Sequence, residues 1–310
     1  MASGNPRKKR RRLKKDLRLE RKEKKIGGKE QVRFLGEEIE SRKLDKQNKE
    51  ADAGIKQLYA QIVDANKFIL GYAGEIDQFL KTNDPKFTQN AGAYTERITK
   101  DLSGMFSWFE WAEKFIKDDV KDVKTFIKDV EKENKLLEKE ARAEKKQFRN
   151  LRRSAREGEK LDEDKKEAII AEKNKLNQTI KALNDKLLQN LNAILKEVLE
   201  PDVKEIEQIR KDRKQLKNKW GNKATNWQGM RDMLREIYSL MSSKVGFVQD
   251  LYARNRKVQV AVAQNGAMLK EKEGLYSKRK DYDKEYESFQ VKEQVEMGHE
   301  KHMADILKVF

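Results

Sequence analysis

Two histidines and a run of carboxylates are the residues of this chain that come nearest to a reactive constellation. In EMGHEKH, Glu296 and His299 make one Glu-x-x-His step, and His302 follows three residues later. On a helix that step places a carboxylate and an imidazole on one face, a turn apart. Helical di-metal carboxylate sites need such a step from each of two helices, and the sequence holds no other histidine. The step is therefore read as a solvated helix end, and no metal site is expected.

The remaining chemistry is sparse. No cysteine is present, which removes disulfides, thiolate ligands and Cys nucleophiles and fits an intracellular chain. The phosphate-binding patterns G-x-x-x-x-G-K-[ST] and G-x-G-x-x-G are missing, since IGGKE and WGNKAT have the wrong spacing. The abundant carboxylates read as solvated faces and helix pairs, without a paired general acid and base in a dry pocket. The sequence predicts no catalytic residue, no cofactor and no enzyme activity.

The chemistry that does stand out is charge. The chain carries a formal +17 at pH 7, and residues 1–30 alone hold fourteen Lys/Arg against four Asp/Glu. Within NPRKKRRRLKKDLRLERKEKK, the candidate polyanion ligands are Arg7, Lys8, Lys9, Arg10, Arg11, Arg12, Lys14, Lys15 and Arg18. A second cluster, residues 142–156, sets seven Lys/Arg against Glu144 alone. Its candidate ligands are Arg149, Arg152, Arg153 and Arg156, and Lys278-Arg279-Lys280 is expected nearby. The tail has no aromatic residue and no zinc-finger pattern, so base stacking and groove readout lack donors there, and binding would ignore sequence.

Four tryptophans form the other unusual group. Trp108 and Trp111 lie in GMFSWFEWAEKF, while Trp220 and Trp227 bracket a loop. On a helical wheel Met105, Phe109, Ala112 and Ile116 make a core stripe, with Trp108, Trp111 and Phe115 on a neighbouring face. Two readings stand side by side: a thick aromatic core, or an aromatic patch offered to a partner helix.

Long helices must position all of these residues. The composition is 40% charged and 36% hydrophobic with only 3 Pro, which favours an all-α fold with much surface per residue. From Leu102, every seventh residue reads Leu102, Phe109, Ile116, Val123, Val130, Leu137, Glu144, Leu151, apolar at all but one position. A third segment repeats the pattern from Ile169 to Leu216, and a fourth runs from Met230 to Leu269 before a tyrosine-rich stretch. Breaks at Gly27-Gly28, Lys81 to Gly92, Arg156 to Asp164 and Trp220 to Asn226 divide the chain. The expected layout is a flexible basic tail over 1–28 and an elongated antiparallel bundle with coiled-coil-like packing over 29–310. Its helices are expected at about 29–81, 93–156, 164–219 and 226–308, the third kinked near Pro201. Up-and-down topology would gather the tail, the Arg156 turn and Lys278 to Lys280 at one end, opposite the tryptophans.

These features favour a non-enzymatic helical scaffold or adaptor that binds a polyanion, nucleic acid first. An anionic membrane surface is the alternative, although Leu13, Leu17, Leu19 and Ile26 make a meagre anchor. A structural coiled coil with protein partners, or one that self-associates, is a third reading. No run approaches a bilayer span of about 20 apolar residues, so a cytoplasmic location is expected. In a eukaryotic host PRKKRRRLKK would also serve as a nuclear import signal.

Overall fold

The computed structural model describes residues 6–82, 91–155, 160–223 and 226–306. Among these residues all regular structure is helical. The helices are α1 (Pro6–Thr82), α2 (Ala91–Ala155), α3 (Lys160–Ala193), α4 (Glu200–Lys223) and α5 (Trp227–Ile306), with a π turn at Ile194–Leu199 joining α3 to α4.

A seven-residue repeat explains these elements. In α1 the buried positions form two interleaved rows: Phe34, Ser41, Asn48, Ile55, Ile62, Ile69, Ile76, and Glu30, Glu37, Leu44, Ala51, Leu58, Ala65, Tyr72, Phe79. This is the a/d pattern of helices that pack side by side at 3.5 residues per turn. The stripe predicted in α2 is buried at Leu102, Phe109, Ile116, Val123, Val130 and Leu137, and Glu144 is buried with it.

Two expected boundaries fall differently. Helix α1 runs from Pro6 straight through Gly27 and Gly28, although each glycine costs a helix about 1 kcal/mol relative to alanine. Burial of Ile26 and Glu30 on either side of the pair fixes that stretch, because tertiary packing outweighs propensity. The interruption expected at Pro201 takes the form of the π turn just before it. There Glu200 N–H donates to the Leu195 carbonyl, five residues back. The wider turn adjoins a proline that has no N–H to donate and whose ring would crowd the carbonyl four residues earlier.

The chain divides into two compact units. The first comprises Met1–Ile39, Phe126–Gln189 and Asn265–Phe310, and the second Glu40–Thr125 and Asn190–Gln264. In the first unit, Glu30 and Glu37 of α1 meet Arg279 and Lys272 of α5, so ascending numbers face descending ones. Glu133 and Glu144 of α2 face Asn184 and Asn177 of α3 in the same sense. The unit is therefore a four-helix arrangement with α1 and α3 antiparallel to α2 and α5. The second unit repeats the pattern: Gln47 to Asp122 and Tyr72 to Asp101 join α1 to α2, and Glu205 to Lys244 and Lys219 to Glu236 join α4 to α5.

The cores of the two units differ in chemistry. The second holds one large apolar cluster, with Asn48, Asp119, Asp202 and Asn255 buried in the same unit: Leu102, Phe109 and Ile116 pack with Ile206, Ile209, Leu216 and Met233, while Leu58, Ile62 and Ile69 come from α1. In the first, apolar layers alternate with buried charge.

Candidate functional site

The charged layers of the first unit are built on heptad positions. Lys272 Nζ lies 2.5 Å from Glu37 Oε2 and 2.6 Å from Glu133 Oε2. All three side chains have no exposed surface. Asn184 donates to Glu133 Oε2 at 2.7 Å, the Tyr276 hydroxyl donates to Glu133 Oε1, and the Phe34 ring packs beneath the ammonium group. One heptad along the bundle, Arg279 holds Glu30 at 2.5 Å and Glu140 at 2.9 Å and donates to Asn177 Oδ1 at 2.9 Å. A third layer pairs Lys173 with Asp283 at 2.6 Å, and Glu144 lies 3.9 Å away.

The first two layers each set two carboxylates against one cation. Burial pushes Glu30 up to about 7, against the pull of Arg279. Glu37 is driven well above the carboxylate range by burial and by Glu133 beside it, with Lys272 opposing. For Arg279, burial works against the charge, but Glu140 and Glu30 more than offset it and the guanidinium stays firmly protonated. Burial and the neighbouring carboxylates likewise keep the Tyr276 phenol in its neutral form.

These residues correct two expectations. Glu30, Glu37, Glu133, Glu140 and Glu144 do not belong to solvated faces; they are core. Arg279 is not part of a surface basic triplet, because its guanidinium is spent on two buried carboxylates, whereas Lys278 and Lys280 on either side are exposed. The signal was present as phase: Val258, Asn265, Lys272, Arg279 and Tyr286 are seven residues apart and all buried. A cleft of about 560 Å³ opens beside the Arg279 layer, lined by Gly27, Gly28, Phe34, Tyr276 and Lys173 among others.

The predicted basic ligands stand as follows. Arg18 and Arg149 are exposed, and so are Lys25, Arg142, Lys145 and Lys146. The side chains of Arg7, Lys8, Lys9, Arg10, Arg11, Arg12, Lys14, Lys15, Arg152 and Arg153 lie outside the described residues, as does Arg156. The sequence segments that carry both clusters, 1–39 and 126–189, belong to the first unit. In that unit α1 and α2 meet through Arg279 at Glu30 and Glu140. From this level, descending α1 toward Arg18 and ascending α2 toward Arg149 lead the same way along the bundle.

The tryptophans are in the second unit. Trp111 is half-buried, its ring stacked on Phe115 with centroids 5.7 Å apart. It presses on α1 so closely that a Cβ at Gly54 would lie 2.2 Å from its ring. Trp220 donates from Nε1 to Thr99 Oγ1 at 3.2 Å, and Trp227 packs on Phe79 and Tyr94. Side chains of Trp108 and Met105 lie outside the described residues. His299 is exposed, the side chains of Glu296 and His302 are not described, and among the described residues no group of His, Cys, Asp or Glu is placed to hold a metal ion.

Among the described residues, the second unit buries the carboxyl of Asp119 with no cation paired to it. Asp119, on the heptad row between Ala112 and Phe126, is 2% exposed, and its Oδ1 has no hydrogen-bond partner. Burial, with Asp122, Asp118 and Asp202 around it, pushes it up to about 8. Asp202 itself is raised to about 6 by burial, although Arg254 pairs with it.

Among the described residues no helix is long and apolar enough to cross a membrane. Compared with known proteins, the chain matches no family, no curated protein and no solved structure at a significant level.

Proposed function

We propose that this protein is a non-enzymatic helical scaffold that binds a polyanion, most readily nucleic acid and without regard to sequence, through the basic surface of its first unit. The observation that carries the reading is the concentration of charge. Fourteen of the chain's 71 Lys/Arg stand in the first thirty residues, and seven more in residues 142–156.

The antiparallel register of α1 and α2 supports treating the two clusters as one site. If the register set at Glu30 and Glu140 continues, Arg18 comes level with Arg152. Arg142, Lys145, Lys146 and Arg149 are exposed on the approach. A phosphate chain needs such a row of cations and little else, because the release of condensed counterions drives sequence-independent binding. The intracellular setting, cytoplasmic or nuclear, belongs to the same proposal.

The test replaces Arg149, Arg152, Arg153 and Arg156 with Gln and measures affinity for two unrelated duplexes, one RNA hairpin and anionic vesicles. A similar loss on every nucleic acid, with thermal stability nearly unchanged, supports a two-part site. Unchanged affinity in this variant, together with loss of binding when residues 1–28 are deleted, would assign binding to the N-terminal segment alone. Binding to vesicles without binding to nucleic acid would replace this reading with the membrane-surface one.

A further inference from the structure

We infer that the Glu37–Lys272–Glu133 and Glu30–Arg279–Glu140 layers are proton-binding sites, and that the first unit opens along α1 as those protons leave. This stands apart from polyanion binding and concerns what holds the unit closed. Each layer has one positive charge and two carboxylates, and no member is more than 5% exposed. With so little surface exposed, an unbalanced carboxylate gains little hydration there, and a buried charge lacking a partner is strongly unfavourable. A proton on one carboxyl of each layer removes the surplus.

Among the described residues the surroundings offer no other remedy. From α1, Arg33 is turned to Asp129, which it reaches at 2.9 Å. From α2 the facing groups are Glu133, Glu140 and Glu144, all acidic. Helix α3 supplies the neutral amides Asn177 and Asn184, and Lys173, whose charge is met by Asp283 and Glu144. Helix α5 supplies Lys272 and Arg279, together with Tyr276, which donates to Glu133. Glu30 Oε1 and Glu37 Oε1 have no hydrogen-bond partner.

The α1 side is where the bundle yields most readily. Gly27 and Gly28 bring no side chain to the packing, and the cleft beside Phe34, Tyr276 and Arg279 thins the seam with α5. Along the outer face of α1, Val32, Leu35 and Ile39 are 65, 48 and 54% exposed, so they add little to its anchoring.

The direction with pH follows from linkage. A carboxyl raised in the folded state keeps a proton that the unfolded chain has already lost, so stability declines as pH climbs from the unfolded value to the folded one. For Glu30 that window is 4.5 to about 7. From Glu30 alone, the open fraction of α1 should rise about tenfold between roughly pH 6 and pH 8, and Glu37 adds to this.

Hydrogen exchange on the full-length protein, corrected for intrinsic rates, tests the inference. Protection of residues 26–39 and 269–286 should fall about tenfold or more between those pH values. Glu30→Gln and Glu37→Gln, which restore one cation to one carboxylate in their layers, should each flatten the fall. Asp119→Asn, in the other unit, should leave it unchanged. Equal protection at both pH values, or the same fall in parent and both Gln variants, would overturn the inference. Should Glu30→Gln lose helicity by circular dichroism, Glu37→Gln decides the outcome by the same criterion.

Discussion

Replacing Asp119 with Asn should stabilise the protein, and more so as pH rises. The carboxyl is 2% exposed, and Asp122, Asp118 and Asp202 surround it with like charge. It therefore holds its proton up to about pH 8 instead of 3.8. In the unfolded chain that proton leaves near 3.8, so between these values the native state binds more protons than the unfolded one, and stability falls with increasing pH. Carried through without relaxation, a displacement of about four pKa units corresponds to roughly 6 kcal/mol above pH 8. About 2 kcal/mol of this would already be lost at pH 5. Local opening and water entry reduce such penalties, so the advantage of Asn over Asp should grow by about 2 to 4 kcal/mol between pH 5 and pH 9. Urea unfolding of both proteins at the two pH values measures it directly. An Asn variant no more stable than the parent at pH 9, or an advantage that does not change with pH, would refute the reasoning.

Further outcomes are expected from substitutions in both units. Lys272→Met leaves Glu37 and Glu133 facing each other without a cation and should destabilise the protein by about 3 to 5 kcal/mol. Adding Glu37→Leu and Glu133→Leu should recover most of that loss in thermal melts. Gly54→Ala must displace the Trp111 ring from a 2.2 Å contact and should cost about 1 to 3 kcal/mol. Gly71→Ala, with nothing within 4 Å of its added Cβ, should instead gain about 0.5 to 1 kcal/mol from helix propensity.

How much of this was legible in the sequence depended on which residues filled the heptad. The α2 stripe from Leu102 to Leu137 was plain because its core positions are apolar, and burial follows it residue by residue. In the first part of α1 the same positions hold Glu30, Glu37, Ser41 and Asn48. A glutamate at a core position has the same letter as one in water, so within the helix expected over 29–81 these residues read as solvated. Only phase betrays it, since the row of isoleucines from Ile76 back to Ile55 continues unbroken through Asn48 and Ser41 to Phe34. Arg279 was misplaced for the same reason, its two exposed lysine neighbours making a surface triplet the simpler reading. The partners that render such residues tolerable in a core come from α2, α3 and α5, and no local pattern announces them. The π turn was foreshadowed by Pro201, but the form of the disruption was not.

The most direct measurement of the functional account is a salt titration of nucleic-acid binding by the full-length protein, followed by fluorescence anisotropy with two duplexes of unrelated sequence. With about six phosphate contacts, affinity should fall roughly a thousandfold between about 50 and 200 mM salt, with the same slope for both duplexes. Absence of binding at the lower salt concentration, or an affinity that salt leaves unchanged, would contradict the claim that the basic surface of the first unit binds a polyanion.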